Sequence, residues 1–230
     1  MKTKTNVIFC GYREWALKII EQVSDHSNIN SIGVIKTIDE YREKESNFSE
    51  DTDIILFLGW SWIIPPKVTS KFLCLGVHPS DLPQYRGGSP IQNQIINGLT
   101  ESKVTLMTLS ENKLDAGDIW LKNKLSLKGD NIDKIFNHII ESSVSLLNYF
   151  FSQFPNIEPI KQDISKGTYF KRRQPKDSCI FLDDFKKISL VEFYNQVRCL
   201  TYPYPNLYLE DKAGNKLYIK EVEFISSQKE

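Results

Sequence analysis

"NVIFCGYREWALKIIEQVSDHSNINSIGVIK", residues 6–36, decides the fold class. Residues 6–11 form a short apolar run closed by a glycine, which is how a buried strand ends. Residues 14–23, "EWALKIIEQV", then repeat apolar side chains at helical spacing, and "INSIGVIK" (29–36) returns to a strand pattern. A strand, a helix and a second strand in that order imply a parallel pair joined by a crossover. The turn "GYREWA" is not G-x-G-x-x-G, so a dinucleotide fingerprint is absent. Gly11, Tyr12 and Arg13 instead stand where the first strand ends.

Outward from that unit, the polar stretch 37–52 reads as a brief helix or a loop. "DIILFLGW" (53–60) reads as a third buried strand, "SWIIPPKV" as a turn into a short helix, and "KFLCLGV" (71–77) as a fourth strand running into His78. Helical spacing predicts a helix in "PIQNQIINGL" (90–99), stopped at Gly98. "KVTLMTLS" (103–110) and "DIWLKNKLSL" (118–127) read as strands around the turn "ENKLDAG", and 131–154 as the strongest amphipathic helix. His138 within it reads as a solvated or capping residue. From 155 the chain turns rich in Pro, Gly and charge and reads as a long connection. It is followed by a helix at 189–200 and a hairpin around "DKAGNK". The fold class is therefore α/β: a Rossmann-like, open, mostly parallel sheet flanked by helices, with a small C-terminal helix-plus-hairpin extension. The expected division is residues 1–155 as the main domain and 156–230 as linker and subdomain.

The composition narrows the function classes. Lys+Arg and Asp+Glu both number 29 in 230 residues, which disfavours a surface built for polyanions and argues for no nucleic-acid partner. The basic run "YFKRRQPKD" reads as a solvated loop. The four cysteines, Cys10, Cys74, Cys179 and Cys199, are far apart and lack histidine partners at ligand spacing, so no metal is expected. No run approaches the roughly 20 apolar residues of a membrane span, and the start does not read as a signal peptide. A cytoplasmic protein with no membrane partner is the expectation.

The chemistry concentrates in "LGVHPSDLPQYRGGSPIQNQIINGL" (75–99) and "LDAGD" (114–118). A strand ending at His78 with no hairpin after it aims an imidazole at the cleft where open α/β sheets bind ligands. Asp115 and Asp118 sit on a glycine-containing turn between two strands. A carboxylate beside an imidazole fixes its tautomer, and the pair then serves proton transfer. Gly87 and Gly88 either let the backbone turn tightly or let it approach a ligand closely.

The run "HPSDLPQYRGGSPIQNQIING", followed by "KVTLMTL" and "LDAGDI", resembles the folate-dependent formyltransferase family. The segments "LGWSWIIP", "GTYFKRRQPKDS" and "VRCLTYPYPN" are similar too. The resemblance implies that family's fold and transfer of a formyl group from N10-formyltetrahydrofolate to a primary amine through a tetrahedral intermediate, without a metal. It implies His78 and Asp115 as catalytic residues. Trp60 and Ile63 of the "LGWSWIIP" segment, with Leu114, are the implied folate contacts. The family pattern has an asparagine two residues before the histidine, and Gly76 stands there instead. Loss of one such donor costs roughly 100- to 1000-fold in rate. Ser80, Asn93 or a water are candidate substitutes for it, and a protein that binds without catalysing is the alternative reading.

The "SPIQ" form of the loop resembles the methionyl-tRNA and sugar branches of the family. The short extension and zero net charge favour a sugar N-formyltransferase, whose acceptor is a nucleotide-linked amino-dideoxy sugar, dTDP-type first. Methionyl-tRNA formylation is the further alternative. Tyr12, Arg13, Ser80 and Gly88 are the implied substrate contacts, with Arg13 aimed at a pyrophosphate. The tyrosines of "TYPYPNLY" are weak candidates for stacking. A homodimer through the C-terminal region is expected, because an exposed apolar helix face needs a partner.

Overall fold

The computed structural model describes residues 4–109 and 113–225. In chain order it contains β1 (Thr5–Gly11), α1 (Glu14–Val23), β2 (Ile29–Ile35), α2 (Ile38–Lys44), β3 (Ile54–Leu58), α3 (Pro66–Thr69) and β4 (Leu73–His78). There follow β5 (Arg86–Gly87), α4 (Pro90–Ile96), β6 (Glu101–Thr108), β7 (Ile119–Ser126) and α5 (Ile132–Gln153). The last elements are β8 (Tyr169–Phe170), β9 (Cys179–Phe181), α6 (Leu190–Cys199), β10 (Tyr208–Glu210) and β11 (Lys216–Tyr218).

The main sheet has the order β2-β1-β3-β4-β6-β7. The first four strands run parallel, and β6 and β7 are antiparallel to their neighbours. The mostly parallel α/β sheet read from the sequence is the observed one. Strand β3 lies at its centre with all five residues buried, as expected where helices cover both faces. On one side, Ala16, Ile19, Ile20 and Val23 of α1 bury their stripe in a core shared with β1, β3, β4 and α5. On the other, a smaller cluster joins Cys10, Tyr41, Phe57 and Cys74. Burial pushes the Cys74 and Cys199 thiols up to about 12 and raises Cys10 as well, so these cysteines are inert core packing.

Local signals explain the helix starts. The Thr37 and Asn131 side chains accept the backbone N–H groups of Glu40 and Lys134 at the head of α2 and α5. Ser189 and Glu192 form a reciprocal box at the head of α6. His138 on α5 faces the Ser126 carbonyl at 3.2 Å, tying the helix to the end of β7.

The segment after 155 departs from the expected linker. Ile119 and Ile160 exchange backbone hydrogen bonds, β8 pairs with β5, and β9 adds a third strand in parallel to the predicted β10–β11 hairpin. Ile180, Val197, Cys199, Leu200 and Leu207 join the main core. Polar composition hid this because the pairing uses backbone groups, which every sequence carries. Part of the "ENKLDAG" turn, Glu111 and Asn112, and the Ser110 end of the predicted strand lie outside the described residues.

Candidate active site

Strand β4 ends at His78, and the loop after it is bolted down before it can wander. Gln94 donates to the Pro79 carbonyl at 2.8 Å, and Thr105 Oγ1 to the Ser80 carbonyl at 2.7 Å. The Ser80 hydroxyl donates to the Gln84 carbonyl at 2.7 Å. Asp81 pairs with Lys103 of β6 at 2.9 Å and with Lys122 of β7. Partial burial disfavours the Asp81 carboxylate, but hydrogen bonds from Lys122 and Lys103 outweigh it and hold its pKa below the ordinary value.

His78 is 7% exposed. Its Nε2 lies 2.9 Å from the Tyr85 carbonyl oxygen, and its Nδ1 lies 3.6 Å from Asp115 Oδ2. A carbonyl oxygen only accepts, so Nε2 carries a proton. Two unusual backbone conformations make this possible: Tyr85 and Asp115 have φ of 57° and 52°, in the left-handed region. Such strain persists where surrounding contacts over-determine it. Here the Gly87 N–H donates to Asp115 Oδ2 at 2.8 Å. Gln162, buried, donates from Nε2 to the Gly117 carbonyl at 2.8 Å and to the Asp115 carbonyl at 3.2 Å. The imidazole and the carboxylate thus meet in one buried place, held from three separate segments.

The other sequence candidates divide. Asp118 is exposed and its carbonyl accepts from the Thr108 N–H, so it stands apart from His78 and Asp115. Ser80, expected as a substrate contact, is fully buried and its hydroxyl donates to the Gln84 carbonyl inside the loop. Asn93 donates to the Gly88 carbonyl at 3.0 Å and likewise braces the loop.

Gly87 and Gly88 answer to close approach. A Cβ on Gly87, whose φ is +92°, would stand 2.2 Å from the Phe170 carbonyl oxygen, and one on Gly88 would stand 2.3 Å from Arg172 Cα. What approaches Gly88, expected as a substrate contact, is the chain's own segment 169–173. Gly76 lies two residues before His78, on the same face of β4. A Cβ there would stand 2.8 Å from Leu109 Cδ2. Leu109 covers the spot where a side chain at 76 would go.

At the carboxyl ends of β1 and β3, Tyr12, Trp60 and Trp62 form an aromatic cluster with ring centroids 4.8–6.3 Å apart. The Tyr12 hydroxyl shares a 2.7 Å hydrogen bond with Ser61, and the Arg13 guanidinium lies 5.1 Å from the Tyr12 ring centre. Because the chain reaches β2 on one side of β1 and β3 on the other, this edge is the topological switch point. Trp60 Nε1 is buried with no hydrogen-bond partner among the described residues, while Ile63 and Leu114 are 89% and 56% exposed. A cleft of about 620 Å³ is lined by Arg86, Lys113, Leu114, Ile164, Ser165 and Tyr169. Within this cleft the exposed Leu114 stands beside two cations, Arg86 and Lys113, a lining that suits a ligand with both apolar and anionic parts. Among the described residues no cluster of metal-ligating side chains occurs, and no helix is long and apolar enough to cross a membrane.

Tyr85, Leu109, Gln162 and Arg172 were not identified from the sequence. The first acts through its carbonyl and the last through its backbone, which leave no residue-type signal. Gln162 lies in the presumed linker.

A family model described as formyl transferase matches residues 14–147. The methionyl-tRNA formyltransferase of Caldicellulosiruptor saccharolyticus is 32% identical over 174 residues, 74% of this chain and 54% of its own length. The chain spans about half the length of the curated relatives it matches. Among solved structures, a methionyl-tRNA formyltransferase from Clostridium thermocellum superposes with a TM-score of 0.80 at 29% identity, covering 97% of this chain and 95% of that one. A 4-N formyltransferase from Francisella tularensis shares the fold, with a TM-score of 0.76 at 20% identity over 95% of this chain and 98% of that one. The specific loop and the paired His78 and Asp115 thus sit in the same fold that the matched proteins use, and the chain belongs to the formyl transferase family.

Proposed function

We propose that this protein transfers a formyl group from N10-formyltetrahydrofolate to a primary amine, with His78 and Asp115 at the reacting centre. The observation that carries the reading is the 3.6 Å approach of Asp115 Oδ2 to His78 Nδ1 in a buried site at the end of a central strand. The folate, when bound, supplies an activated formyl carbon. An amine attacking that carbon builds negative charge on the formyl oxygen and has a proton to shed. His78 offers a ring N–H to that oxygen, and Asp115 orients the ring from the opposite nitrogen and takes up the proton the amine sheds. That proton passes to the folate nitrogen as its bond to the formyl carbon breaks, releasing tetrahydrofolate. Trp60, Ile63 and Leu114 are the residues that would hold the pterin and its substituents.

For the acceptor we propose a nucleotide-linked amino sugar, supported by the zero net charge of the chain and by Arg13 at the switch point. Methionyl-tRNA is the second reading, favoured by the 32% identity to a methionyl-tRNA formyltransferase. Incubation with 10-formyltetrahydrofolate and, in parallel, dTDP- and UDP-amino sugars or initiator methionyl-tRNA, read by mass spectrometry, tests both. A formamide on a sugar supports the first and one on the aminoacyl group the second. Folate binding with no formamide on either would leave a binding protein, the consequence of glycine at 76. In that case Gly76→Asn combined with Leu109→Ala, which clears the 2.8 Å obstruction, is expected to create turnover.

A further inference from the structure

The connection after α5, read from the sequence as a linker, runs past both members of the His78–Asp115 pair. It is fixed to the sheet at Ile160, which exchanges backbone hydrogen bonds of 2.7 and 2.8 Å with Ile119 of β7. Just beyond, the buried Gln162 donates from Nε2 to the Gly117 carbonyl at 2.8 Å and to the Asp115 carbonyl at 3.2 Å. Further on, Thr168 Oγ1 accepts the Tyr85 N–H at 2.8 Å, and the Thr168 carbonyl accepts the Arg86 N–H at 3.0 Å. The Tyr85 carbonyl is in turn the partner of His78 Nε2. One short stretch, 160–168, therefore holds the turn that carries Asp115 and the residue that holds His78.

Both grips fall on strained backbone. Tyr85 and Asp115 have φ of 57° and 52°, which non-glycine residues keep only where their surroundings over-determine them. The turn after Asp115 is pressed on β6, since a Cβ on Gly117 would stand 1.8 Å from the Thr108 carbonyl oxygen. Its carbonyls at 115 and 117 go to Gln162. That amide fits only one way round, because an oxygen in place of Nε2 would face two acceptors. The orientation leaves Gln162 Oε1 buried with no hydrogen-bond partner among the described residues, which is destabilising. A methionine would fill similar space without the orphan, so packing alone does not explain an amide here.

We infer that segment 160–168 is a strap that sets the spacing of His78 and Asp115. Gln162 is the positioning residue for Asp115, acting through its carbonyl, and Thr168 is the positioning residue for His78, acting through the Tyr85 N–H. The two contributions are unequal. Gln162 is buried, where water cannot replace its bonds, whereas Thr168 is exposed, where water can. The strap's effect on rate rests on the formyl-transfer reading above; its hold on the two side chains does not.

Magnetic resonance of the histidine ring nitrogens in ligand-free protein tests the strap, beside steady-state formyl transfer. The chain has three histidines, and His26 and His138 bond elsewhere and report the fold. Gln162→Met keeps the side-chain length and removes the donors. It should move the His78 signals, leave those of His26 and His138, and lower kcat roughly 10- to 100-fold with KM for 10-formyltetrahydrofolate unchanged. Thr168→Val should move the same signals and lower kcat roughly 2- to 10-fold, and Thr168→Ser, which keeps the acceptor, should restore both. Unmoved His78 signals in both Gln162→Met and Thr168→Val would overturn the strap. So would a loss in Thr168→Ser equal to that in Thr168→Val. If all three histidines move in Gln162→Met, that variant has lost its fold, and the Thr168 variants at an exposed side chain decide. If the wild type transfers no formyl group to any acceptor, the activity reading falls and the ring-nitrogen signals still decide the strap.

Discussion

The two halves of the sheet differ in kind. On the parallel side, β1 and β3 are buried almost residue for residue, and their partners are other strands and helices. On the antiparallel side, β7 is mostly half-buried or exposed, with only Leu125 buried. It pairs with β6, packs against α5 through Trp120 and Phe150, and follows the connection that carries Asp115. The parallel half has little freedom, and its work is to hold the end of β4 still. The antiparallel half contributes charge and unusual backbone. The site lies on the seam, with His78 from one side and Asp115 from the other. Chemistry should therefore fail on the seam without loss of fold, and the fold should fail in the parallel half with little change in chemistry.

The largest effects test the seam. Replacing Asp115 by Asn, or His78 by Asn, is expected to lower formyl transfer roughly 100- to 10,000-fold while the melting temperature moves little. Unchanged turnover in steady-state assays of either variant would remove that residue from the mechanism.

Next comes Leu56→Ala in β3, at a side chain with no exposure. It should cost about 2–5 kcal/mol in urea unfolding. The remaining folded protein should keep its turnover per molecule, and a large fall in turnover at equal folded concentration would break the distinction between the halves. Gly88→Ala drives a methyl toward Arg172 Cα and should destabilise by about 1–3 kcal/mol, as overpacking does. A thermal shift indistinguishable from wild type would show that segment 169–173 does not rest on the loop.

Asp81→Asn is expected to have the smallest effect, under about 1 kcal/mol at pH 7, because the pair with Lys103 and Lys122 is partly exposed. The folded-state pKa of Asp81 is depressed, so its contribution is present above the unfolded value of about 3.9. It is lost as pH falls through the folded value. The gap between variant and wild type should therefore narrow below about pH 4 in chemical unfolding. A gap that widened on acidification would contradict the pairing.

Much of the parallel half was legible because burial on both faces leaves a continuous apolar run, as in residues 54–58. Its first helix announces itself by apolar spacing over residues 14–23. The seam was legible only as residue types, since His78 and Asp115 carry side-chain chemistry that a motif can show. What braces them was not, because Tyr85 acts through a carbonyl, Gly87 through an N–H and Gln162 from a stretch that looked like a linker.

The sequence alone determined the α/β class, the strand that ends in an imidazole and the family to which the chain belongs. Those follow from local periodicity and from a motif, each read within a few tens of residues. Only the tertiary structure decided that segment 169–173 lies on the glycine loop, that Leu109 covers Gly76 and that Gln162 holds the Asp115 turn. These are contacts between segments distant in sequence, made through backbone groups and missing side chains, and a linear pattern carries no record of what approaches a glycine.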